Sequence, residues 1–167
     1  MVVIRGALYS KHFGVYGVYF KAGKLLCIHK NAGPYQNRYD LPGGSQENGE
    51  GLTETLVREI KEETGFAVTA YHHNRIYDAF VKPVHEIRTV HHIFAVYDVE
   101  LDFNTPSKLP RQVSDGLNDS DGIAFVDLKT LNATNASPLV LKIVDEINQK
   151  EGYLEKLDFL DWQIIPD

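Results

Sequence analysis

Six glutamates lie between residues 47 and 63 of this 167-residue chain. Three of them, Glu59, Glu62 and Glu63, fall in the last turn of a segment whose pattern predicts a helix. Carboxylates at that end oppose the helix dipole and repel one another. The stretch is therefore either a solvated acidic surface or a site for a cation. Clustered carboxylates are the kind of ligand that hard divalent cations such as Mg²⁺ prefer.

Helical spacing separates these glutamates into two groups. At about 100° per residue, one apolar stripe forms, and we expect its members to be buried: Leu52, Leu56, Val57 and Ile60. Glu59 and Glu63 lie at the edge of that stripe, with Glu62 beside them, where an uncompensated carboxylate loses hydration. Glu54 and Arg58 fall on the opposite side at i, i+4 spacing, which predicts a surface ion pair.

A glycine-rich loop, LPGG at 41–44 followed by SQENGEG, leads into this helix. Glycines let the backbone approach a ligand closely. The pattern runs from Gly44 through Glu50 to Arg58-Glu59-Ile60, Glu62-Glu63 and Gly65-Phe66. These 23 residues, 44–66, resemble the Nudix box of the Nudix hydrolases, with every defining position filled. A chance match in a chain of this length is much rarer than about one in a million.

The resemblance implies an α+β fold, a Nudix-type α/β/α sandwich with a mixed β-sheet between helices. It also implies an enzyme that hydrolyses a pyrophosphate bond in a nucleoside diphosphate derivative (a nucleotide, a nucleotide sugar or an ADP-ribose type) with Mg²⁺ or Mn²⁺ and water. By position, Glu59, Glu62 and Glu63 and the carbonyl of Gly43 would be metal ligands. Glu59 and Glu62 would act in catalysis with Arg58, which would hold the glutamates in place, while Glu50 would bond at the loop–helix junction. The alternative is a catalytically silent Nudix-fold binding or regulatory module.

The general base is left open by this resemblance. In some members of the family a box glutamate serves, and in others an acidic residue from a distant loop does. The polar loop before the strand IAFV offers Asp115, Asp119 and Asp121. We take Asp119 or Asp121 as the candidates and include Asp121 among the catalytic residues, although an aspartate beside Gly or Ser is also an ordinary turn residue.

Residues beside the LPGG loop are candidate substrate contacts. Arg38 is placed to reach a phosphate, and Tyr35 and Tyr39 are placed to meet the substrate, with ordinary packing as the alternative for each. The adjacent pairs His72-His73 and His91-His92 lie in predicted strands. Because neighbours on a strand point to opposite faces, neither pair is suited to chelate one metal ion.

The elements that must position these residues alternate between strand and helix. Strands are predicted at 2–9, 14–20, 25–30, 66–81, 87–101 and 123–128, and helices at 52–65 and 137–149. Residues 102–122 read as a loop, 153–162 as a helical segment that packs on the body, and Phe125 as a core residue. We find no repeat or linker, so we expect one domain over residues 1–167.

Composition narrows the class of protein. A net charge of −6 argues against nonspecific nucleic-acid binding, so we expect a small-molecule nucleotide as the partner. Cys27 is the sole cysteine, and no stretch is apolar enough to span a membrane, so a cytoplasmic protein without membrane contact is the simplest expectation. The apolar residues of the C-terminal segment either cover the core or form a homodimer contact.

Overall fold

The computed structural model describes residues 6–108, 112–113 and 116–167. Its strands are β1 (Leu8–Val18), β2 (Phe20–Lys21), β3 (Lys24–Lys30), β4 (Tyr39–Asp40), β5 (Gly43–Gly44), β6 (Ala67–Pro83), β7 (Arg88–Asp102), β8 (Gln112–Val113), β9 (Gly116–Leu117), β10 (Ser120–Asp127) and β11 (Asp158–Trp162). Its α-helices are α1 (Leu52–Thr64) and α2 (Pro138–Ile147). The alternation of strands and helices follows the predicted order.

Two larger sheets form the body. One has the order β11-β6-β7-β1-β5, and in it β1 and β7 are parallel while β6 and β7 are antiparallel. The other has the order β10-β3-β2, with β4 paired to β3. The α+β class and the mixed sheet predicted from the Nudix resemblance are confirmed.

The five-stranded sheet has a different helix on each face. On β1 and β7, Val15, Ala95 and Tyr97 pack with Leu56 and Ile60 of α1. The alternate residues, which include Tyr16, Phe94 and Val96, join the larger core that contains Leu139, Val140 and Ile143 of α2. Successive strand residues point to opposite faces, so the two helices lie on opposite sides of this sheet.

Helix α1 begins after Gly51 and ends at Gly65, whose φ of 79° is left-handed and whose N–H donates to the carbonyl of Lys61. The prediction that Gly65 ends the helix is confirmed. Leu56 and Ile60 are fully buried, but Leu52 and Val57 are each 37% exposed, so their predicted burial was wrong. The buried face is narrower than the stripe, and Glu59 and Glu63 occupy the space beside it.

The predicted ion pair between Glu54 and Arg58 was also wrong. The Glu54 carboxylate accepts the N–H of Gly51 (3.2 Å) at the start of the helix. Anionic groups are stabilised there because the first turn exposes unpaired N–H groups. Arg58 instead contacts other carboxylates, which are described below.

The structure differs from the sequence-based predictions in three further places. Parts of the predicted strands at 2–9 and 14–20 join in the single strand β1, while Phe20 lies in β2 and residues 2–5 are outside the described ranges. The segment 153–162 ends in a strand, β11, which pairs parallel with β6, rather than in a helix. Phe125 is 43% exposed, so its assignment to the core was wrong.

Helix α2 begins as predicted. The hydroxyl of Ser137 accepts the N–H of Val140 (3.2 Å), and Pro138 follows in the first turn. Neither helix of the described residues has the length and apolar character that crossing a membrane requires.

Candidate active site

Strand β5 brings the two glycines of LPGG against the glutamates of α1. The N–H of Gly43 donates to Oε2 of Glu63 (2.8 Å). A Cβ added to Gly44 would lie 2.8 Å from the carboxylate of Glu59, closer than ordinary van der Waals contact. Only a glycine at position 44 therefore lets the Glu59 carboxylate lie directly against the backbone of this strand.

Arg58 of α1 donates hydrogen bonds both to the loop before the helix and to glutamates of the helix itself. Its Nε and Nη2 hold the two oxygens of Glu50 (2.6 and 2.9 Å). Its Nη1 donates to Glu59 (2.9 Å) and Glu62 (3.3 Å), and its Nη2 also donates to the carbonyl of Ser45 (3.0 Å). Because a guanidinium presents several donors in a rigid plane, this one side chain fixes the loop and two helix glutamates in relation to each other.

Glu63 is the most enclosed of the three helix glutamates. It is 4% exposed, and burial raises the pKa of its carboxyl well above the ordinary value, against the opposing effects of Lys30 and the Gly43 N–H. Burial alone would lower the pKa of the Lys30 ammonium, but the carboxylates around it raise that pKa above its ordinary value. Lys30 and Glu63 therefore interact across the space between β3 and α1.

Residues 118–121 are held against the C-terminal end of α1. Asn118 Nδ2 donates to the carbonyl of Glu62 (3.0 Å), and the Ser120 hydroxyl donates to the carbonyl of Glu63 (3.3 Å). Between them, Asp119 forms an ion pair with Lys30. The negative charge of Asp119 contributes to the raised pKa of Glu63.

The other candidate bases are placed differently. Asp121 is exposed, and its carboxylate accepts Nδ2 of Asn31 (2.7 Å). Asp115 lies outside the described residues. Of the two aspartates that we singled out, Asp119 is thus the one beside Glu63 and Lys30.

Negative charge exceeds positive charge in this region. Arg58 lies within 4 Å of four carboxylates, those of Glu47, Glu50, Glu59 and Glu62. Lys30 forms an ion pair with a fifth, that of Asp119, and the nearby carboxylates of Asp40 and Glu63 help to raise the pKa of Lys30. Five carboxylates thus lie within 4 Å of these two cationic side chains.

The donor chemistry of this region fits a hard divalent cation, since carboxylates are packed against a glycine backbone that leaves them room. In the described part of the chain, no three acidic, His or Cys side chains converge tightly enough to form a ready-made metal site. Arg58, Lys30 and the Gly43 N–H are bonded to these carboxylates here. The Arg58 bond uses one oxygen of Glu59 and the Gly43 bond one oxygen of Glu63, and a carboxylate has further lone pairs with which it can bind a metal.

Arg38 is enclosed rather than open to a phosphate. It is 4% exposed, its guanidinium donates to the carbonyls of Ala133 and Gln163, and it lies 4.1 Å from the ring centre of Trp162. These contacts argue against the predicted phosphate contact, because they hold the side chain to the C-terminal segment. Tyr39 is half-buried and packs against the larger core, as expected if its role is ordinary packing rather than contact with the substrate.

His91 and His92 separate as their strand positions require. His92 is buried, and its two ring nitrogens bond the hydroxyls of Tyr16 (3.1 Å) and Tyr35 (3.0 Å). Burial lowers the pKa of His92 to about 3, so the ring is neutral. Its neighbour His91 instead bonds the carboxylate of Asp78 (2.6 Å).

A family model described as the NUDIX domain matches residues 8–143. The chain belongs to this family. The matched region includes the box, β1, the Lys30–Asp119 ion pair and most of α2, so the site described above lies within the NUDIX domain.

Individual relatives agree with this NUDIX assignment. An ADP-ribose pyrophosphatase from Methanocaldococcus jannaschii is 47% identical over 49 residues, a segment that spans 29% of each protein. A MutT NUDIX hydrolase from Burkholderia pseudomallei has the same fold, with a TM-score of 0.65, 18% identity and coverage of 83% of this chain and 98% of that one. The NUDIX domain of Shewanella oneidensis NrtR, complexed with ADP ribose, has a TM-score of 0.57 at 12% identity, covering 87% and 89%.

Lys30 is a site residue that our sequence analysis did not identify. It ends the strand KLLCIHK, where a lysine at a strand end is ordinary. Its partner Asp119 is 89 residues away, so no local spacing could have joined them. The signal available in the sequence was indirect, since both residues end or precede predicted strands.

Proposed function

We propose that this NUDIX protein hydrolyses the pyrophosphate bond of a nucleoside diphosphate derivative with the help of Mg²⁺. One observation carries the proposal: within the NUDIX box, Glu59 and Glu63 lie against the Gly43–Gly44 backbone, in a region where five carboxylates pair with two cationic side chains. An excess of buried or half-buried carboxylate is unfavourable unless a cation joins it.

The residues that would hold the metal are Glu59, Glu62 and Glu63, with the carbonyl of Gly43. A bound Mg²⁺, or Mn²⁺, neutralises phosphate oxygens and lowers the pKa of a bound water. Arg58 would keep the glutamates in position through its bonds to Glu50 and to the two helix carboxylates, and it would contact no phosphate itself.

Two residues outside the box complete the proposed site. Asp119 would act as general base and take a proton from the attacking water, whose oxygen forms the new bond to phosphorus as the bridging P–O bond breaks. Lys30, which is paired with Asp119, would place a positive charge beside the phosphates. We prefer Asp119 to Asp121 because Asp121 is exposed and bonded to Asn31. An ammonium near phosphate oxygens stabilises the charge that moves to the leaving group.

The relatives indicate which substrate to test first. The M. jannaschii relative is an ADP-ribose pyrophosphatase, so ADP-ribose is the first compound to test, followed by nucleotide sugars and nucleoside triphosphates. The chain spans only 29% of that relative. A cytoplasmic location is likewise a proposal, and it is supported by the presence of a single, buried cysteine, Cys27.

The test is an incubation of the protein with a panel of such nucleotides in Mg²⁺, in Mn²⁺ and in excess chelator, followed by identification of the products. We expect a nucleoside monophosphate and a phosphorylated remainder from at least one compound, with no turnover in chelator. Turnover that persists in chelator would contradict metal dependence. Incubation in ¹⁸O-labelled water would show which phosphorus is attacked.

A catalytically silent NUDIX module is the second candidate. The observation that favours it is that Arg58 and the Gly43 N–H already bond Glu59 and Glu63. Saturable binding of one panel member, without turnover in either metal, would support this candidate and contradict hydrolysis.

A further inference from the structure

A cavity of about 600 Å³ opens beside the carboxylate cluster. This volume is in the usual range for pockets that bind small molecules. Among the residues that line it are His12 and Tyr16 of β1, His92 of β7, Tyr35 of the loop after β3, and the Lys30–Asp119 pair. Asp119 lies between Asn118 and Ser120, which bond the carbonyls of Glu62 and Glu63, so the cavity adjoins the site proposed for the pyrophosphate.

Aromatic rings form much of the wall of this cavity. His12 and His92 pair in register across β1 and β7, and their ring centres are 4.7 Å apart. The ring of Tyr35 is parallel to that of His92 within 10°. His12 is exposed whereas His92 and Tyr35 are buried, so His12 is the ring that remains available to an incoming planar group. Stacking on aromatic side chains is a general way of holding a nucleobase.

The hydrogen bonds between His92 and the two tyrosines in the cavity wall leave one hydroxyl proton without a protein acceptor among these three side chains. A neutral imidazole has one N–H and one bare nitrogen, and His92 bonds one tyrosine hydroxyl at each nitrogen. One hydroxyl must therefore donate to the ring and the other must accept from it. The accepting tyrosine keeps its own O–H proton, which is available to an acceptor atom of a ligand or to water.

Strand β1 makes room for this arrangement. A Cβ on Gly14 would lie 2.6 Å from the ring and the hydroxyl of Tyr16. Gly14 lies between His12 and Tyr16 on the same face of the strand, so the absence of a side chain there lets the Tyr16 ring lie along β1. The phenol thereby reaches His92.

We propose that this cavity binds the heterocyclic base of the substrate, which stacks on His12 and accepts a hydrogen bond from the Tyr16–His92–Tyr35 chain. The inference rests on the proposed function, since it assumes that the phosphates lie at the carboxylate cluster with Lys30 between the two. Aromatic walls and one free hydroxyl donor match a planar heterocycle better than they match a sugar, whose many hydroxyls need many polar partners.

Binding experiments test the inference without hydrolysis. We would measure dissociation constants by NMR titration for AMP, GMP, CMP and UMP, and for ribose 5-phosphate, which has a phosphate but no base. At least one monophosphate should bind about tenfold more tightly than ribose 5-phosphate. His12→Ala should remove that preference, and His12→Phe should restore most of it because the ring is kept. His85→Ala, an exposed histidine in the β6–β7 turn, is the matched control and should change neither constant.

The outcomes separate this inference from the proposed function. Equal binding of all five probes, or unchanged binding in His12→Ala with an unchanged melting temperature, would overturn the base pocket even if the protein hydrolyses pyrophosphates. If no panel compound is hydrolysed but the base preference depends on the ring at position 12, the pocket stands and the hydrolysis proposal fails. With an active protein, His12→Ala should raise KM for the nucleotide about tenfold, whereas an effect on kcat alone would contradict base binding.

Discussion

Two arginines, Arg58 and Arg75, each hold a glutamate through two nitrogens, but their surroundings differ. Arg75 binds both oxygens of Glu146 on α2, and Asp98 (3.0 Å) is its second carboxylate. The pair joins β6 to a helix, and the Tyr77 hydroxyl adds a bond to Glu146 (2.7 Å).

Arg58, by contrast, faces four carboxylates. The difference in charge distinguishes two roles for the same side-chain pairing. Around Arg75 the described contacts satisfy the guanidinium with two carboxylates, which is what a structural tie needs. Around Arg58 negative charge is in excess. An ion pair that only joins two elements does not need such an excess, whereas a site that binds a metal cation does. We therefore expect changes in the Arg58 network to alter activity and changes in the Arg75 network to alter stability.

The largest effect should come from the glutamates themselves. Glu59→Gln and Glu63→Gln should each lower kcat about a hundredfold or more, as expected for loss of a metal ligand or base. Steady-state kinetics at saturating Mg²⁺ measures this. Glu54→Gln on the same helix is the control and should stay within about twofold, because an amide oxygen still accepts the Gly51 N–H. Near-normal rates in both Glu59→Gln and Glu63→Gln would contradict the expectation that the Arg58 network serves activity whereas the Arg75 network serves stability.

The next largest effect should come from breaking the ion pair between Arg75 and Glu146. Arg75→Ala should lower the free energy of unfolding by about 2 kcal/mol, because Glu146 is left half-buried without its main partner. Urea denaturation measures the loss. Activity per folded molecule should be retained at temperatures well below the melting point. A large fall in kcat with unchanged stability would mean that Arg75, like Arg58, serves the site.

A conservative change at Arg58 should have a smaller effect. Arg58→Lys keeps the charge but cannot hold both Glu50 oxygens and Glu59 at once, since an ammonium lacks the planar set of donors. We expect kcat to fall about tenfold and the concentration of Mg²⁺ that gives half-maximal rate to rise. Arg75→Lys, assayed in parallel, should change neither quantity. Equal effects of Arg58→Lys and Arg75→Lys on kcat would contradict the view that the excess of carboxylates around Arg58 gives it a different role from Arg75.

The smallest effect concerns acid stability. Hydrogen bonds from Arg58 and from the Glu47 N–H lower the pKa of Glu50 from 4.5 to about 2. A carboxyl whose folded-state pKa is lowered contributes stability that is complete above the unfolded value and is lost as the pH falls toward the folded value. The difference in denaturation midpoint between wild type and Glu50→Gln should therefore shrink between about pH 4.5 and pH 2. A constant difference over that range would contradict the ion pair.

The sequence predicted the parts of this site that depend on local spacing. Glu59 and Glu63 share the edge of one helical face because they are four residues apart, and Gly65 ends that helix because its conformation is left-handed. Helical periodicity did not reveal how narrow the buried face is. A Cβ on Gly17 of β1 would lie 2.4 Å from Ile60, so Ile60 packs directly on that strand, whereas Val57 is 37% exposed.

Contacts between distant segments could not be predicted in the same way. The Lys30–Asp119 pair and the Tyr16–His92–Tyr35 chain join residues 57 to 89 positions apart, and the pairing of strands brings them together. The surroundings of Arg38 and the strand within the 153–162 segment could not be predicted for a related reason. β11 adds to the sheet beside β6 and brings Trp162 over the Arg38 guanidinium, and no pattern within either segment indicates the other.

Strand β1 takes part in both halves of the site, with His12 and Tyr16 toward the cavity and Val15 and Gly17 toward α1. Single substitutions on one face can therefore change ligand preference while the catalytic helix stays in place. An insertion or deletion of one residue between positions 12 and 15 would turn the residues on one side of it to the other face, and His12 and Tyr16 would then no longer face the same cavity. Variation in this family member can thus proceed by replacing side chains of β1, whereas the length of the strand must be kept.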